Sequence, residues 1–152
     1  MNKIQLPQLL VQMNTASQND IEQFLHRHSG CFSPDFESTI NIEEYAKKLR
    51  MYGNTYELWY SGELDSLLVA YFSESLQQIY IPYICTAKSH YGPNVGQYLF
   101  QMITNFSNPF KYIRLEVRKD NTKAISFYLK QGFSEKFRTE EKIHLEKQLV
   151  KP

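Results

Sequence analysis

The stretch Leu115–Phe133 reads LEVRKDNTKAISFYLKQGF, and its hydrophobic pattern changes once along its length. Apolar and polar residues alternate over Tyr112–Val117, which predicts a strand with one buried face. Over Asn121–Gln131 the apolar residues recur at helical spacing, and Gly132 can take the left-handed conformation that ends a helix. The stretch therefore predicts a strand, a short turn and a helix in direct succession.

Two helices are predicted near the start of the chain. Ser17 and Asn41 are residue types that cap helix N-termini, and the second helix is expected to end at Gly53. The segment Ser29–Thr39 between the two helices is rich in Ser, Gly and Pro, which predicts a loop.

Three strands are predicted after the second helix. The first alternates over Tyr56–Tyr60, a turn covers Ser61–Asp65, and the next two strands span Ser66–Phe72 and Ile79–Cys85. Pro82 cannot donate a hydrogen bond to a neighbouring strand, so it predicts either an edge position or a bulge.

The remaining elements complete a predicted sheet. Val95 opens a helix, and two short strands are expected at Phe133–Thr139 and Lys142–Leu149. The strand–helix–strand unit Ile79–Val117 requires a parallel pair with a right-handed crossover. We therefore expect one mixed α+β domain over residues 1–152. The residues expected to face inward from the helix at Val95 are Leu99, Phe100, Ile103 and Phe106.

Composition and charge exclude several classes of protein. The 152 residues carry 17 Lys and Arg against 16 Asp and Glu, a balance that argues against nucleic acid or an anionic membrane as the main partner. The chain is 42% hydrophobic and 14% aromatic, which excludes a disordered tail. The longest apolar run, Leu67–Phe72, is far shorter than a membrane helix. We expect a soluble cytoplasmic protein, either a monomer or a homodimer.

The cysteines and histidines give no sign of a metal site. Cys31 and Cys85 are too few for a disulfide framework and lack the spacing of metal ligands, which favours a reducing cytosol. His26 and His28 have no cysteine or carboxylate cluster beside them in the sequence. We expect no metal cofactor, and we interpret Cys85 as a small buried residue.

Tyr91-Gly92-Pro93-Asn94-Val95-Gly96 lies between a predicted strand and a predicted helix. Glycines there allow successive backbone amides to point at one spot, and the helix N-terminus adds partial positive charge, so the segment can hold a phosphate or pyrophosphate. An ordinary turn is the alternative interpretation.

The stretch that decides the fold also resembles a known family. Its motif is similar to the last conserved block of the GNAT N-acetyltransferase superfamily, and its Leu-Glu-Val-Arg segment resembles the ribosomal-protein alanine N-terminal acetyltransferases. The order of elements agrees with this family over roughly residues 8–149. The residues that match the block are Asn121, Ala124, Tyr128, Gly132 and Phe133.

The phosphate loop departs from the family pattern at three positions. Tyr91 stands where the family has Arg or Gln, Asn94 replaces the middle glycine, and Pro93 removes a backbone donor. Gly92 and Gly96 match. Because Asn tolerates positive φ better than other non-glycine residues, Asn94 is expected to preserve the shape of the loop.

The resemblance implies a largely antiparallel mixed sheet with a central parallel pair and about four flanking helices. It implies transfer of an acetyl group from acetyl-coenzyme A to a primary amine by direct attack through a tetrahedral intermediate. The backbone of Ile84, Cys85 and Thr86 would meet the pantetheine and the acetyl carbonyl, and the loop Tyr91–Gly96 would hold the pyrophosphate. Further coenzyme contacts are expected from Asn121, Ala124, Phe127, Tyr128 and Lys130.

Two residues are the candidates for proton transfer. An amine is mostly protonated at neutral pH and needs a base, for which Glu116 is the candidate. The departing thiolate needs a proton, which Tyr128 can supply. The alternatives are that Glu116 is a surface carboxylate between Arg114 and Arg118, that Tyr128 is a core residue, and that Asn121 is only an N-cap.

The amine acceptor stays open between an N-terminal peptide, an amino sugar and a small amine. In the family the acceptor is set by the N-terminal helices and their loop, here Gly30–Asn41 with Tyr45 and Tyr52. Two other functions compete with catalysis: an acyl-coenzyme A sensor or scaffold that has lost activity, and a protein-interaction domain that uses no coenzyme.

Overall fold

A computed structural model describes residues 11–31, 40–105 and 110–149. In these ranges the helices are α1 (Gln18–Arg27), α2 (Ile42–Tyr52), α3 (Val95–Asn105) and α4 (Thr122–Lys130). The strands are β1 (Gln12–Met13), β2 (Asn54–Tyr60), β3 (Glu63–Ser73), β4 (Gln78–Cys85), β5 (Tyr112–Arg118), β6 (Ser134–Arg138) and β7 (Lys142–Gln148). A single turn of 3-10 helix, Ser29–Cys31, follows α1.

The seven strands form one mixed sheet in the order β1-β2-β3-β4-β5-β7-β6. Strands β4 and β5 are parallel, as the strand–helix–strand unit required, and β5 is antiparallel to β7. Strand β1 is antiparallel to β2, and β6 to β7. The predicted fold class is therefore confirmed, with β1 as a short strand that the sequence analysis missed.

The described residues fall into two compact units. The first unit lies within Met1–Val69 and Tyr83–Leu99, and the second lies within Ala70–Pro82 and Phe100–Pro152. In the part of the chain that the structure describes, no helix is long and apolar enough to cross a membrane.

Helix capping in the first unit follows the sequence closely. The hydroxyl of Ser17 accepts from the amide of Asp20, and the Asp20 carboxylate accepts from the amide of Ser17, which completes a capping box. The side chain of Asn41 accepts from the amide of Glu44 at 3.0 Å, and Gly53 is the C-cap of α2. Both predicted helix starts are confirmed.

The hairpin between β2 and β3 is tighter than predicted. The turn was expected over Ser61–Asp65, but β3 already begins at Glu63. Ser61 and Gly62 take φ values of 53° and 82°, which is the pattern of a two-residue type I′ hairpin loop. Asp65 therefore lies within a strand, where it is buried.

Pro82 does not mark an edge strand. Strand β4 lies between β3 and β5, so the edge interpretation is wrong. The parallel register joins Gln78–Tyr80 to Tyr112–Arg114, and Pro82 comes two residues after the last of these pairs. The bulge stays a prediction.

The second unit carries the motif stretch almost as predicted. Asn121 caps α4 by accepting from the amide of Ala124 at 3.2 Å, and Gly132 has φ 96° just after the helix. Leu129, one of the apolar residues at helical spacing in this predicted helix, is 51% exposed and does not belong to the buried face of α4. Its position at the last turn of a short helix leaves it outside the packed face. Phe106, expected to face inward from α3, lies outside the described residues.

Candidate active site

Glu116 projects from β5 among polar side chains of two other strands. Its Oε1 accepts a hydrogen bond from the Tyr80 hydroxyl of β4 at 3.0 Å. Its Oε2 lies 3.4 Å from Nε2 of His144, which is directly opposite Glu116 in the β5–β7 register. Nζ of Lys142 is 3.8 Å from Oε1. The carboxylate is thus oriented by one neutral donor and has cationic or titratable groups beside it.

The two arginines that flank Glu116 in the sequence pair with other residues. Nε of Arg114 contacts Oε2 of Glu146 at 2.7 Å, and Nε of Arg118 contacts Oδ1 of Asp120 at 3.3 Å. The cations nearest to Glu116 come from β7 instead. The interpretation of Glu116 as a carboxylate held between Arg114 and Arg118 is therefore wrong. Lys142 and His144 are the residues that can form ion pairs with it.

The Glu116 side chain keeps access to solvent, since 30% of its surface is exposed. His144 is itself held in place, because its ring stacks on Phe137 with centroids 4.1 Å apart and planes 14° apart. A carboxylate that is fixed in orientation yet reachable from outside can accept a proton from a bound molecule. Tyr80 and His144 were not among the predicted site residues.

Tyr128 has the features of a core residue and of a proton donor together. It is buried on α4, and its ring packs edge-on against Phe100, Phe127 and Phe133. Burial raises the pKa of Tyr128 to about 12. The hydroxyl therefore keeps its proton at neutral pH, as a donor to a departing thiolate must.

The other predicted residues on α4 differ in exposure. Asn121 and Lys130 are exposed, and Asn121 uses its side-chain oxygen as the N-cap. Ala124 and Phe127 are half-buried, and the Phe127 ring lies 6.1 Å from Phe100 and 5.4 Å from Tyr128. The N-cap interpretation of Asn121 is confirmed, and a coenzyme contact by the exposed residues stays a prediction.

The predicted phosphate loop leads into α3 in the first unit. Gly92 has φ 95°, and a side chain placed there would meet no atom within 4 Å. The carbonyl of Asn94 accepts from the amide of Tyr98 at 3.2 Å, so Asn94 precedes the helix directly. Asn94 is not among the described residues with positive φ, whereas Lys88 and Gly92 are. The positive φ given as the reason for Asn94 to preserve the loop shape is therefore wrong, and its role in the shape of the loop stays a prediction.

Tyr91 is anchored within the first unit. Its hydroxyl donates to the carbonyl of Trp59, its amide donates to Oγ of Ser89 at 3.1 Å, and its ring packs edge-on against Tyr60. A residue at the family's Arg or Gln position is thus used to fix the loop. Pro93, Val95 and Gly96 complete the segment, with Pro93 exposed and the other two buried.

The end of β4 holds a disulfide that the cysteine count did not predict. Cys85 is bonded to Cys31 across 54 residues, with Cα atoms 6.0 Å apart. Its burial agrees with the sequence interpretation, but its bonded state does not. The neighbours Ile84 and Thr86 are half-buried, and the Thr86 carbonyl accepts from the amide of Ser89.

A second polar cluster, missed in the sequence, surrounds Asp65. Its Oδ1 accepts from the amide of His90 at 2.9 Å and lies 2.8 Å from Nδ1 of His90, while Oδ2 accepts from the hydroxyls of Ser89 and Ser66. Burial alone would raise the pKa of Asp65, but these hydrogen bonds together hold it below its usual value. Asp65 and His90 are 25 positions apart in the sequence, too far for a recognisable spacing motif.

A groove of about 540 Å³ opens beside this cluster in the first unit. The His90 ring, stacked on Tyr60 at 3.9 Å, forms part of its wall. Its lining is mixed in charge: Arg27, His28, Tyr60, Ser61, Glu63, Leu64, Asp65, Lys88 and His90.

Comparison with solved structures supports the fold. The ribosomal-protein-S18-alanine N-acetyltransferase from Escherichia coli is 14% identical, with 94% of this chain and 96% of that chain covered and a TM-score of 0.71. The Paia N-acetyltransferase from Thermoplasma acidophilum, in complex with coenzyme A, is 16% identical, with 91% and 99% covered and a TM-score of 0.68. A nourseothricin acetyltransferase is 20% identical, but this chain spans only 66% of its length and 65% of this chain is covered, at a TM-score of 0.56.

No curated protein matches the sequence significantly. The model of the acetyltransferase (GNAT) family, in contrast, matches residues 21–133, which is well over half of the chain. That range includes β5, α4 and the loop before α3. The chain therefore belongs to the acetyltransferase (GNAT) family and is an acyltransferase.

Proposed function

We propose that this protein is an acetyl-coenzyme A-dependent N-acetyltransferase that acts on a primary amine by direct attack on the thioester. The observation that carries the proposal is the setting of Glu116, a partly exposed carboxylate on β5 that is oriented by the Tyr80 hydroxyl. The family match makes acetyl transfer the reaction class. The identity of the base, the acid and the acceptor is the part that we propose.

Glu116 acts as the general base, directly or through a water molecule. An ammonium group gives up its proton to a nearby carboxylate before the amine can attack, and the tetrahedral intermediate then collapses. Tyr80 holds one oxygen of the carboxylate by a hydrogen bond, which fixes the orientation of the carboxylate. The second oxygen lies toward His144, whose ring is fixed by Phe137.

Tyr128 acts as the general acid toward the departing thiolate. Its pKa of about 12 keeps the hydroxyl protonated until charge develops on the sulfur. The three aromatic rings around it hold the side chain in one orientation. Packing and proton donation are compatible, because the packing involves the ring and the donation involves the hydroxyl.

The loop before α3 binds the pyrophosphate of the co-substrate. Its chemistry fits an anion, because the first amides of an α-helix lack intrahelical partners and Gly92 leaves open space beside the backbone. The backbone of Ile84, Cys85 and Thr86 is proposed to meet the pantetheine. On α4, the proposed contacts are those of Asn121, Ala124, Phe127 and Lys130.

A sensor or scaffold that binds acyl-coenzyme A without turnover is the second candidate. It is favoured by Tyr91, whose hydroxyl is used by the Trp59 carbonyl, and by Pro93, which has no amide to offer. Binding of acetyl-coenzyme A together with a complete lack of turnover would support this candidate over the enzyme.

We also propose that residues 1–152 act as one N-acetyltransferase domain in the cytoplasm, as a monomer or homodimer, without nucleic acid or membrane as partner. The near balance of charge supports the choice of partners. A peptide N-terminus, an amino sugar and a small amine are the three acceptor classes proposed, and the transferred group is acetyl.

The test combines binding with turnover. Acetyl-coenzyme A at a hundred times its dissociation constant is expected to add roughly 2.7 kcal/mol to the free energy of unfolding. A panel of amines from the three classes is then screened for release of free coenzyme A. An unchanged melting temperature at millimolar acetyl-coenzyme A, in protein shown to be folded, would contradict the proposal.

A further inference from the structure

Three side chains with metal-ligating atoms converge beside the end of α1. A ring nitrogen of His28 and the Sγ atoms of Cys31 and Cys85 all lie within 4.8 Å of one another. The cluster belongs entirely to the first unit, and neither the proposed base nor the proposed acid is part of it. Its members are 3 and 54 residues apart along the chain.

Local backbone structure explains the convergence. The amide of His28 donates to the carbonyl of Phe24 at 3.0 Å, which makes His28 the C-cap of α1, and the His28 ring lies 4.3 Å from the Phe24 ring. The 3-10 turn follows, and in it the amide of Cys31 donates to the His28 carbonyl at 2.9 Å, which keeps Cys31 close to His28. Cys85 approaches from the end of β4. The imidazole and the two sulfurs are thus held by three separate backbone elements.

The oxidation state of the two sulfurs decides what the cluster can bind. In the structure they form a disulfide, which leaves no thiolate for a metal. A dithiol reductant transfers two electrons and two protons to this disulfide, which gives two free thiols and the oxidised, disulfide form of the reductant. Cys31 is half-buried, so this end of the disulfide is not sealed within the core.

We propose that reduction of this disulfide creates a zinc site formed by His28, Cys31 and Cys85. Two thiolates and one imidazole are a ligand set that Zn²⁺ prefers, and three protein ligands leave a fourth position for water. Binding releases the two thiol protons. In the reverse exchange, a small disulfide takes two electrons from the two thiolates and becomes a dithiol, which restores the Cys31–Cys85 bond and releases the metal.

Charge and access both fit this site. Zn²⁺ with two thiolates and a neutral imidazole has no net charge, so it leaves unchanged the charge balance of a groove that carries Arg27 and Lys88 together with two carboxylates, Glu63 and Asp65. His28, Arg27 and Lys88 all line the groove of about 540 Å³, which provides an entry path from solvent. In a reducing cytosol, where a disulfide is usually transient, the reduced form is the one expected to prevail.

The test uses Co²⁺ and Zn²⁺ on the full chain. Protein reduced with a phosphine and kept without oxygen is expected to bind one Co²⁺, with the near-ultraviolet thiolate-to-cobalt absorption of a two-cysteine site. Zn²⁺ should displace the cobalt, and untreated disulfide protein should show no such absorption.

The variant Cys31→Ser should lose the absorption completely, and His28→Gln should weaken binding by about 10-fold or more. The control His26→Gln changes a histidine of α1 outside the cluster and should bind as the wild type does.

Three results would overturn the proposal: no thiolate absorption in reduced protein that is folded by circular dichroism, equal binding by His28→Gln and the wild type, or equal binding by the disulfide form. Because Cys31 is only half-buried, Cys31→Ser is expected to fold; if it does not, His28→Gln decides. Acetyl-coenzyme A is not used in these measurements, so their outcome is separate from that of the proposed function.

Discussion

Two glutamates on different strands of the sheet, Glu57 and Glu116, have opposite surroundings. Glu57 on β2 is fully buried, and it accepts from the amides of Thr15 and Ala16 at 3.0 Å, from Nε1 of Trp59 at 3.1 Å, and from the hydroxyls of Thr15 and Thr55. Glu116 on β5 is 30% exposed and has the Tyr80 hydroxyl as its neutral donor. Both oxygens of the first carboxylate are used by donors of the protein, whereas the second carboxylate is partly open to solvent.

Glu57 therefore has the surroundings of a structural carboxylate, and Glu116 has those of a carboxylate that can take part in catalysis. Three of the five donors to Glu57 belong to Thr15 and Ala16, so this carboxylate joins the segment before α1 to β2. Both of its oxygens are used by donors of the protein, and its burial keeps it out of reach of a substrate. Glu116 is partly exposed, so a bound amine can reach its carboxylate. Stability should therefore depend on Glu57, and turnover should depend on Glu116.

The largest effect is expected for Glu57→Ala, which should lower the free energy of unfolding by about 3 kcal/mol or more. The change leaves the buried amide of Ala16 without its acceptor, at a cost of about 1–3 kcal/mol for an unsatisfied buried donor. The part-buried amide of Thr15 and indole of Trp59 lose their acceptor as well. Denaturant unfolding measures the loss. The exposed Glu43 of α2 gives the control Glu43→Ala, for which we expect a few tenths of a kcal/mol. Equal losses in the two variants would remove Glu57 from its structural role.

Tyr128→Phe should lower the maximal rate by about 10²-fold, equal to roughly 2.7 kcal/mol of barrier, with coenzyme affinity little changed. Only the hydroxyl is removed, so the edge-on packing against Phe100 should persist and the stability loss should stay within about 1–2 kcal/mol. Steady-state kinetics and melting on one preparation measure both quantities. The half-buried Tyr112 of β5 supplies the control Tyr112→Phe, which should keep full activity.

A Tyr128→Phe variant that is less stable but fully active, at a temperature where it stays folded, would leave Tyr128 as a core residue. Water or a backbone group would then protonate the thiolate.

Tyr80→Phe should have the smallest of these effects, a loss of about 10-fold in the maximal rate, or roughly 1.4 kcal/mol. The variant removes the donor to Oε1, so the Glu116 carboxylate loses part of its orientation. A double variant, Tyr80→Phe with Glu116→Gln, should be no slower than Glu116→Gln alone, which steady-state kinetics measures. A further loss in the double variant would mean that Tyr80 acts on something other than Glu116.

Local signals were enough to predict most of the fold. Ser17, Asn41 and Asn121 act as N-caps where the sequence placed them, and Gly132 ends α4 with the positive φ expected of it. These features depend on residues within one helical turn of each other, so single-sequence patterns capture them. The two-residue hairpin loop at Ser61 and Gly62 could also have been predicted from the sequence, because such loops favour glycine.

The surroundings of the candidate site depended on pairings that no local pattern encodes. Tyr80 and His144 reach Glu116 through the register of three strands, and a shift by one residue would turn each side chain to the other face. The Cys31–Cys85 bond and the Asp65–His90 contact join segments 54 and 25 residues apart. The sequence could name Glu116 and Tyr128, but their partners required the fold.

The most direct test of the proposed base is the pH dependence of turnover in Glu116→Gln, measured against Glu141→Gln, an exposed glutamate of the same unit. The account predicts that Glu116→Gln lowers the rate by about 10²-fold near neutral pH, with unfolding unchanged, and that the deficit shrinks at alkaline pH, where more of the amine is already deprotonated. Glu141→Gln should match the wild type throughout. A Glu116→Gln rate equal to that of the wild type across the whole range would contradict the account and leave Glu116 as an ion-pair partner of Lys142 and His144.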